Sequence, residues 1–423
     1  MLVEIEALGQ DGDGIAPTDK GPVFVPYTAP GDRARISLIE TRAGAARRGV
    51  LREVLSPAAG RQTSPCVHFT RCGGCRVQHL APELYRRWKY GLLEAALDRA
   101  RALPEERRAM IGVPPGTRRR ARLHVRHLPD GIRLGFHEAL SRRIVDLDEC
   151  TILHPDLLDL LPPLRSVLAT ILARGHQLDI SLTRLDDGVD LVLHGLARPK
   201  LDVIERLTDF AHRTGLARLS AGPPDGPVEP VANLAPGHLT IGPARIVPPP
   251  APFLQATREG EEALAAAVLA ALAGCPTGAK VADLFCGIGT FSLRLAARHP
   301  VLALDGDSAA IAALDAAGRQ AGLAYELTAK TRDLGQRPLE GDELAGLGAV
   351  VFDPPRAGAP AQAAALARSR VPVVVAVSCN PKTFARDARI LMDGGYRFAH
   401  VQPIDQFLWT AHLEIIGVFL NER

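Results

Sequence analysis

Cys379 has the sequence surroundings of a nucleophilic thiol. Residues 373–377 are β-branched or small and apolar, which predicts a buried parallel strand ending just before it. Asn380 and Pro381 then predict a helix start, because Asn is a preferred N-cap and Pro fits the first helical position. The positive end of this helix favours thiolate, so we expect the pKa of Cys379 to lie below its ordinary value of about 8.5. A small buried apolar residue is the alternative interpretation of a single cysteine.

Three further predicted strands end in residues that suit a ligand site. They cover 280–285, 301–304 and 350–352, and they are followed by the segment Cys286-Gly287-Ile288-Gly289-Thr290, by Asp305 and by Asp353. The glycines allow a ligand to approach the backbone, although the third glycine of a dinucleotide motif is missing. An acid at the end of the second strand suits ribose hydroxyls. Because such strand ends share one sheet edge, we expect one site on a Rossmann-like α/β domain.

Four motifs resemble those of the RNA 5-methyluridine methyltransferases. They are Asp-Leu-Phe-Cys-Gly-Ile-Gly-Thr-Phe-Ser-Leu from Asp283, Phe-Asp-Pro-Pro-Arg-Ala-Gly from Phe352, Val-Ser-Cys-Asn-Pro from Val377, and Ala-His-Leu-Glu ending at Glu414. The likeness covers nearly the whole chain and is greatest to the iron–sulfur branch that modifies 23S ribosomal RNA. The resemblance implies methylation of uridine C5 in RNA, with S-adenosylmethionine as the methyl donor. The substrate that it favours is 23S rRNA, and transfer RNA is the alternative.

The resemblance also implies roles for individual residues. Cys379 matches the nucleophile that adds to uracil C6, and Glu414 matches the base that removes the C5 proton. A glutamate at the edge of a strand and an aspartate that caps a helix are the ordinary alternatives for Glu414 and Asp353. The residues that match the cofactor shell are Gln255, Phe285, Thr290, Asp305, Asp333 and Asp353.

Some positions depart from the pattern of the iron–sulfur branch. Thr257, Thr290 and Asp333 stand where that branch often has Asn, and Leu408-Trp409 replaces a segment in which Pro is common. These changes leave the reaction intact but leave open which uridine is modified. Cys275 and Cys286 lack a neighbouring base or helix start, so we interpret them as packing residues.

Four other cysteines have the spacing of metal ligands. Cys66, Cys72 and Cys75 form a C-x5-C-x2-C pattern, and Cys150 lies far downstream. Four thiolates suit either zinc or an iron–sulfur cluster, so spacing alone leaves both open. The family resemblance favours a [4Fe–4S] cluster, and we expect its role to be structural.

A run of arginines lies between these cysteines. In the predicted strand after Arg118, alternation puts Arg120, Arg122, His124 and Arg126 on one face. Guanidinium groups in a row suit phosphates and can stack on unpaired bases. We therefore predict RNA contact by Arg118, Arg120, Arg122 and Arg126, with a solvated charged face as the alternative.

The chain divides into three predicted domains. Residues 1–57 read as short strands over 3–7, 21–25, 33–40 and 48–54, broken by Gly, Asp and Pro, which predicts an OB-like β-barrel that resembles a TRAM domain. Residues 58–250 are predicted to form a central α+β domain that binds RNA and carries the iron–sulfur loop; a helix is expected over 164–174. Residues 251–423 are predicted to be the Rossmann-like class I methyltransferase domain.

Overall composition excludes some classes of protein. The formal net charge of +3 is too small to predict RNA binding by itself. No apolar run is long enough to span a bilayer and the start lacks a signal-peptide pattern, so we expect a cytoplasmic protein without a membrane partner, acting as a monomer. Cytosine-C5 and adenine methyltransferases are disfavoured, since Ser378 rather than Pro precedes Cys379 and the acidic motif begins with Asp353 rather than Asn. A catalytically inactive RNA-binding module is the remaining alternative.

Overall fold

The N-terminal residues form a six-stranded sheet. The computed structural model describes residues 1–39, 46–139 and 141–422. The strands are β1 Leu2–Glu4, β2 Ala7–Leu8, β3 Gly14–Ala16, β4 Val23–Val25, β5 Arg33–Ile39 and β6 Arg47–Ser56, in the order β1-β5-β6-β4-β3-β2.

The first predicted strand of this sheet is two strands. Its hydrogen bonds change partner, because Ile5 N–H donates to Asp32 while Glu6 N–H donates to Ile15. The expected strand over 33–40 is confirmed as far as Ile39, and Glu40 lies outside the described residues. The OB-like closure of the sheet stays a prediction.

The central segment forms a second six-stranded sheet, covered by helices. Its elements are α1 Pro82–Ala100, β7 Glu106–Arg107, β8 Ile111–Gly112, β9 Arg120–Leu128, β10 Gly131–Gly135, α2 Pro155–Leu158, α3 Leu161–Ile171, β11 Gln177–Leu185, β12 Gly188–His194, α4 Leu201–Thr214, β13 Arg218–Gly222 and β14 Glu229–Asn233. The strand order is β10-β9-β11-β12-β13-β14. Helix α3 begins and ends three residues earlier than predicted, because the N–H groups of a first turn need no intrahelical partner and so Pro162 and Pro163 fit inside it.

The C-terminal segment contains a nine-stranded sheet. In chain order the elements are β15 Leu239–Ile241, β16 Ala244–Ile246, α5 Arg258–Ala271, β17 Lys280–Leu284, α6 Ser292–Leu295, β18 Val301–Asp305, α7 Ser308–Gln320, β19 Leu327–Thr331, β20 Leu347–Phe352, α8 Pro360–Ala367, β21 Val373–Ser378, α9 Pro381–Asp393, β22 Arg397–Asp405 and β23 Glu414–Leu420. The order is β19-β18-β17-β20-β21-β23-β22-β7, with β8 also paired to β22. Strands β17 to β21 run parallel and β23 is antiparallel to β21. The ligand crevice of such a sheet lies at the carboxyl ends of its parallel strands.

Helix α1 and strands β7 and β8 pack on the C-terminal sheet, although they belong to the central segment in sequence. The ammonium group of Lys89 is fully buried, where it bonds the Asp405 carboxylate and donates to the carbonyl oxygen of Phe407 at 2.7 Å. This contact fixes α1 beside the loop that precedes β23. In the ranges that the structure describes, no helix has the length and apolar character to cross a membrane.

Candidate active site

The loop after β17 has a shape that few sequences allow. Phe285 adopts a positive φ of 60°, and Gly289 has φ 91° with the side chain of Leu314 so close that a Cβ would lie 2.3 Å from its Cδ1. The Asp305 carboxylate at the end of β18 accepts the Gly287 N–H at 2.8 Å. The loop is therefore held open by its own glycines and by the neighbouring strand end.

A first cavity of about 830 Å³ lies against this loop. It brings together eight residues that the sequence singled out: Gln255, Phe285, Thr290, Asp305, Asp333, Asp353, Cys379 and Glu414. They come from the carboxyl ends of five parallel strands, from the start of β23 and from the segment before α5, so the predicted convergence at one sheet edge is confirmed. The roles of the individual residues stay predictions.

Two amide side chains connect the acids of this cavity. Gln255 Nε2 donates to Asp353 Oδ2 at 3.1 Å, and Gln406 Nε2 donates to Gln255 Oε1 at 2.5 Å. Gln406 also lies near enough to Glu414 to lower its pKa, and Glu414 Oε2 is buried without a hydrogen-bond partner. The sequence did not indicate a role for Gln406, because this residue follows β22 and belongs to none of the motifs found after the parallel strands.

Burial raises the pKa of both acids above the ordinary range of carboxyl groups. For Glu414 the negative charge of Asp353 adds to this effect, while the hydrogen bond from Gln406 and the charge of Arg120 oppose it. For Asp353 the hydrogen bond from Gln255 opposes the effect of burial. A carboxyl with a raised pKa can exchange a proton near neutral pH, as a general base must.

The predicted low pKa of Cys379 is wrong. Asn380 does cap α9, since its side chain accepts the Lys382 N–H at 3.1 Å. Nevertheless burial, and after it the charges of Glu414 and Asp353, raise the pKa of Cys379 to about 11. The thiol is therefore protonated at neutral pH, because burial and two carboxylates outweigh the helix terminus and the opposing charge of Arg356.

A second cavity, of about 610 Å³, opens on the other side of Cys379. Its wall combines the N-terminal sheet, the loop of the clustered cysteines, α1 and the start of α9, and both Cys379 and Arg356 line the two cavities. Five cationic side chains line this cavity: Arg76, Arg99, Arg118, Arg356 and Lys382. Among the described residues that line it, Asp11 is the one acid, so the lining is mainly positive. Sequence reasoning found only Arg118 as a contact residue, because the others are scattered over the chain.

Comparisons with known proteins agree with this geometry. Residues 333–423 match the family described as tRNA (Uracil-5-)-methyltransferase, and residues 1–46 match the TRAM domain of tRNA (uracil(54)-C(5))-methyltransferase. An uncharacterized RNA methyltransferase of Brucella suis is 40% identical over 100% of this chain and 98% of its own. The 23S rRNA (uracil(1939)-C(5))-methyltransferase RlmD of Yersinia enterocolitica is 33% identical over 100% of this chain and 95% of its own.

The chain belongs to the RNA uracil-C5 methyltransferase family. Its N-terminal sheet is the TRAM domain of that family. The tRNA (uracil-54, C5)-methyltransferase of Pyrococcus abyssi has the same fold, with a TM-score of 0.74, 22% identity and 99% coverage of both chains.

The arginine row of this methyltransferase is divided between two environments. Burial of Ala121, Leu123 and Val125 confirms the predicted alternation along β9. Arg122 is exposed and donates to Asp179 at 3.0 Å, which also bonds His124 at 2.7 Å. Asp179 therefore cancels part of the positive charge of this face.

Arg120 differs from the rest of the row. Its guanidinium lies 4.5 Å from the ring centre of Phe253, which lines the first cavity, and its charge acts on Glu414. Burial lowers the pKa of Arg120 to about 10. Arg120 therefore lies beside the first cavity, and its contact with RNA stays a prediction.

The four clustered cysteines of the methyltransferase lie near one another. The charges of Cys66 and Cys150 act on Cys72, and those of Cys66, Cys72 and Cys150 act on Cys75. Burial raises the pKa of the Cys75 thiol to about 12. Within the described ranges, no three His, Cys, Asp or Glu side chains are grouped closely enough to hold one metal ion.

Proposed function

We propose that this protein methylates C5 of a uridine in RNA, with S-adenosylmethionine as the methyl donor. The observation that carries the proposal is the position of Cys379 at the boundary of two cavities. On one side lies the pocket of strand-end acids with Glu414, and on the other side a cavity lined by cations. A thiol between a donor pocket and a polyanion site suits methyl transfer to a nucleic-acid base.

The first cavity fits the methyl donor. The positive φ of Phe285 and the close approach of Gly289 to Leu314 leave room beside the loop for a ligand. Asp305 is available at the end of β18, where an acid suits ribose hydroxyls. S-adenosylmethionine would supply a methyl group on a positively charged sulfur, and Asp353 lies in the same cavity to balance that charge.

The remaining chemistry belongs to Cys379 and Glu414. Carbon 5 of uracil is a poor nucleophile, so Cys379 first loses its proton to solvent and its sulfur bonds C6. The electron pair of the C5–C6 π bond moves to C5, where it can take the methyl group. The Glu414 carboxylate then removes the C5 proton. The C5–H electron pair restores the C5–C6 double bond while the C6–S bond breaks, which releases the thiolate of Cys379.

For the RNA substrate we propose 23S rRNA. Full-length similarity at 33% identity to a 23S rRNA (uracil(1939)-C(5))-methyltransferase supports this class. The family descriptions and the Pyrococcus abyssi structure name tRNA, which is the second candidate. Either RNA would reach Cys379 through the second cavity, because its arginines and lysine can contact the phosphates on both sides of the target uridine.

For Cys66, Cys72, Cys75 and Cys150 we propose a [4Fe–4S] cluster. In such a cluster each thiolate bonds a different iron, so four nearby thiols need not converge on one point as they do for zinc. The proposal is supported by the action of the thiol charges on one another, which requires the four cysteines to lie near one another. The cluster would join residues 66–75 to residue 150 beside the second cavity, a structural role.

The test of this function is mass mapping of 5-methyluridine in 23S rRNA and tRNA from a strain that lacks the protein. We expect one 5-methyluridine of 23S rRNA to disappear, and to return with the wild-type gene but not with Cys379→Ala. Loss from tRNA instead would select the second candidate. Unchanged modification of both RNAs would support an inactive RNA-binding module.

A further inference from the structure

The segment between the central domain and the methyltransferase sheet forms one wall of the first cavity. Its lining residues are Pro249, Pro252, Phe253, Leu254 and Gln255. We propose that a buried ion pair of the central domain, Asp190 with Arg218, positions this segment and thereby the cofactor site. The inference rests on the proposed function, since it takes the first cavity as the site of S-adenosylmethionine.

The ion pair holds the start of the segment at two points. Arg218 Nη1 donates to the carbonyl oxygen of Pro248 at 2.8 Å, and Asp190 Oδ2 accepts the Ala251 N–H at 3.0 Å. The two charged groups bond each other at 3.1 Å, and Asp190 is 0% and Arg218 8% exposed. Both come from neighbouring strands, β12 and β13, so the support is part of a sheet rather than of a loop.

The backbone at Ala251 shows what the contact imposes. Ala251 has φ 50°, a left-handed conformation that side chains other than glycine seldom adopt. Such a conformation persists only where surrounding contacts enforce it. The hydrogen bond from its own N–H to Asp190 is the contact in place to do so.

The far end of the segment is held by the same domain. Arg119 N–H donates to the carbonyl oxygen of Ala256 at 3.0 Å, and Arg119 Nε donates to that of Gln255 at 3.1 Å. The guanidinium of Arg119 is buried and also bonds Glu261 at the start of α5. Phe253 and Gln255 therefore lie between two points at which buried charged side chains bind the backbone. None of these charged side chains lines the cavity.

Positioning is a better explanation of the Asp190–Arg218 pair than stability. Replacing a buried ion pair by apolar residues of similar volume is often neutral or stabilising. What apolar residues could not supply is the pair of hydrogen bonds to Pro248 and Ala251. Gln255 depends on that geometry, because its amide must reach both Asp353 and Gln406.

The test measures binding of S-adenosylhomocysteine to the full-length protein by calorimetry. Ala251→Pro removes the N–H and cannot adopt the observed φ, and Asp190→Leu with Arg218→Met removes both supports together. We expect each to weaken binding about tenfold, as for loss of a hydrogen bond to a charged group. Ala251→Gly keeps the N–H and adopts this φ freely, so it should retain most of the affinity.

The matched control is Asp209→Leu with Arg213→Met, which removes an exposed ion pair from α4. It should bind the ligand as the wild type does. The RNA affinity of Ala251→Pro should stay near that of the wild type, whereas a general loss of structure would lower the affinities for RNA and for the ligand together. Wild-type affinity in Ala251→Pro would overturn the inference and leave the proposed function standing. Failure of the wild type to bind the ligand would overturn the proposed function itself.

Discussion

Gln406 Nε2 donates a hydrogen bond to Gln255 Oε1 at 2.5 Å, across 151 positions of sequence. Gln255 in turn donates a hydrogen bond to Asp353, and Gln406 lies near enough to Glu414 to lower its pKa. Two neutral amides thus lie beside two buried carboxyl groups without adding a charge that would lower the pKa of either as strongly as an arginine would. In the proposed reaction, this arrangement keeps the base able to take a proton near neutral pH.

The pH dependence of methyl transfer should follow from these raised pKa values. Cys379 and Glu414 must each be deprotonated during the reaction, and both have pKa values above the ordinary ones. The single-turnover rate at saturating donor and RNA should therefore rise with pH from neutrality toward about pH 11, the pKa of Cys379. Asp353→Asn removes a negative charge that raises both pKa values, so its midpoint should move to lower pH by roughly one unit.

Asp315→Asn, at a half-buried position on α7 that lines neither cavity, is the control for this profile and should leave the midpoint in place. A midpoint of Asp353→Asn equal to that of the wild type would contradict the proposed electrostatic contact between Asp353 and the two catalytic groups.

The cations of the second cavity should determine the salt dependence of RNA binding. Arg99 and Lys382 are exposed on its wall, and each contact with a phosphate releases about one counterion. Arg99→Ala with Lys382→Ala should weaken binding and lower the slope of log K against log salt by about two, measured by filter binding at several salt concentrations. Arg213→Ala on α4 is the matched control. An unaltered slope in the double variant would exclude this cavity as the RNA path.

Much of the site could be predicted because its chemistry lies at strand ends. The runs 280–285 and 373–377 indicate buried strands. In a parallel sheet the carboxyl ends of the strands lie at one edge, and this does not depend on where the helices pack. Asp305, Asp353 and Cys379 therefore met in one cavity as expected.

The remaining features of the site depend on contacts between residues that are far apart in sequence, and a local sequence pattern does not show such contacts. Gln406 reaches the site from the antiparallel part of the sheet, and Arg99 reaches it because α1 packs on α9. The pKa of Cys379 was predicted in the wrong direction for the same reason. A helix terminus can be read from Asn380-Pro381, whereas the opposing charges of Glu414 and Asp353 come from other strands.

The cysteine cluster should be visible in purified protein. Anaerobically prepared wild type should be brown, with a broad absorption at roughly 400 nm from iron–sulfur charge transfer. Cys150→Ser should lose most of this absorption and its iron, because Cys150 is the distant ligand of the four. Cys275→Ser, outside the cluster, should keep both. Colourless protein with one zinc per chain would replace the iron–sulfur proposal by the zinc alternative.

The last prediction separates the nucleophile from the base. If Cys379 bonds C6 before the methyl group is transferred, Cys379→Ala should abolish methylation and every covalent RNA adduct. Glu414→Gln should behave differently, since addition and methyl transfer can proceed while the C5 proton stays and the C6–S bond cannot break. This variant should accumulate an adduct that already carries the methyl group and survives a denaturing gel.

Donor labelled in its methyl group makes the test decisive. Label should migrate with protein and RNA together in Glu414→Gln, and the signal should vanish in the variant that also carries Cys379→Ala. Glu83→Gln, at the exposed start of α1, controls for loss of a carboxylate and should turn over normally. Normal turnover by Glu414→Gln, or an adduct in Cys379→Ala, would show that these two residues do not have the roles proposed for them. Cys379 and Glu414 line the same cavity. A change of fold would affect both variants alike, whereas the proposed chemistry predicts an adduct in Glu414→Gln and none in Cys379→Ala.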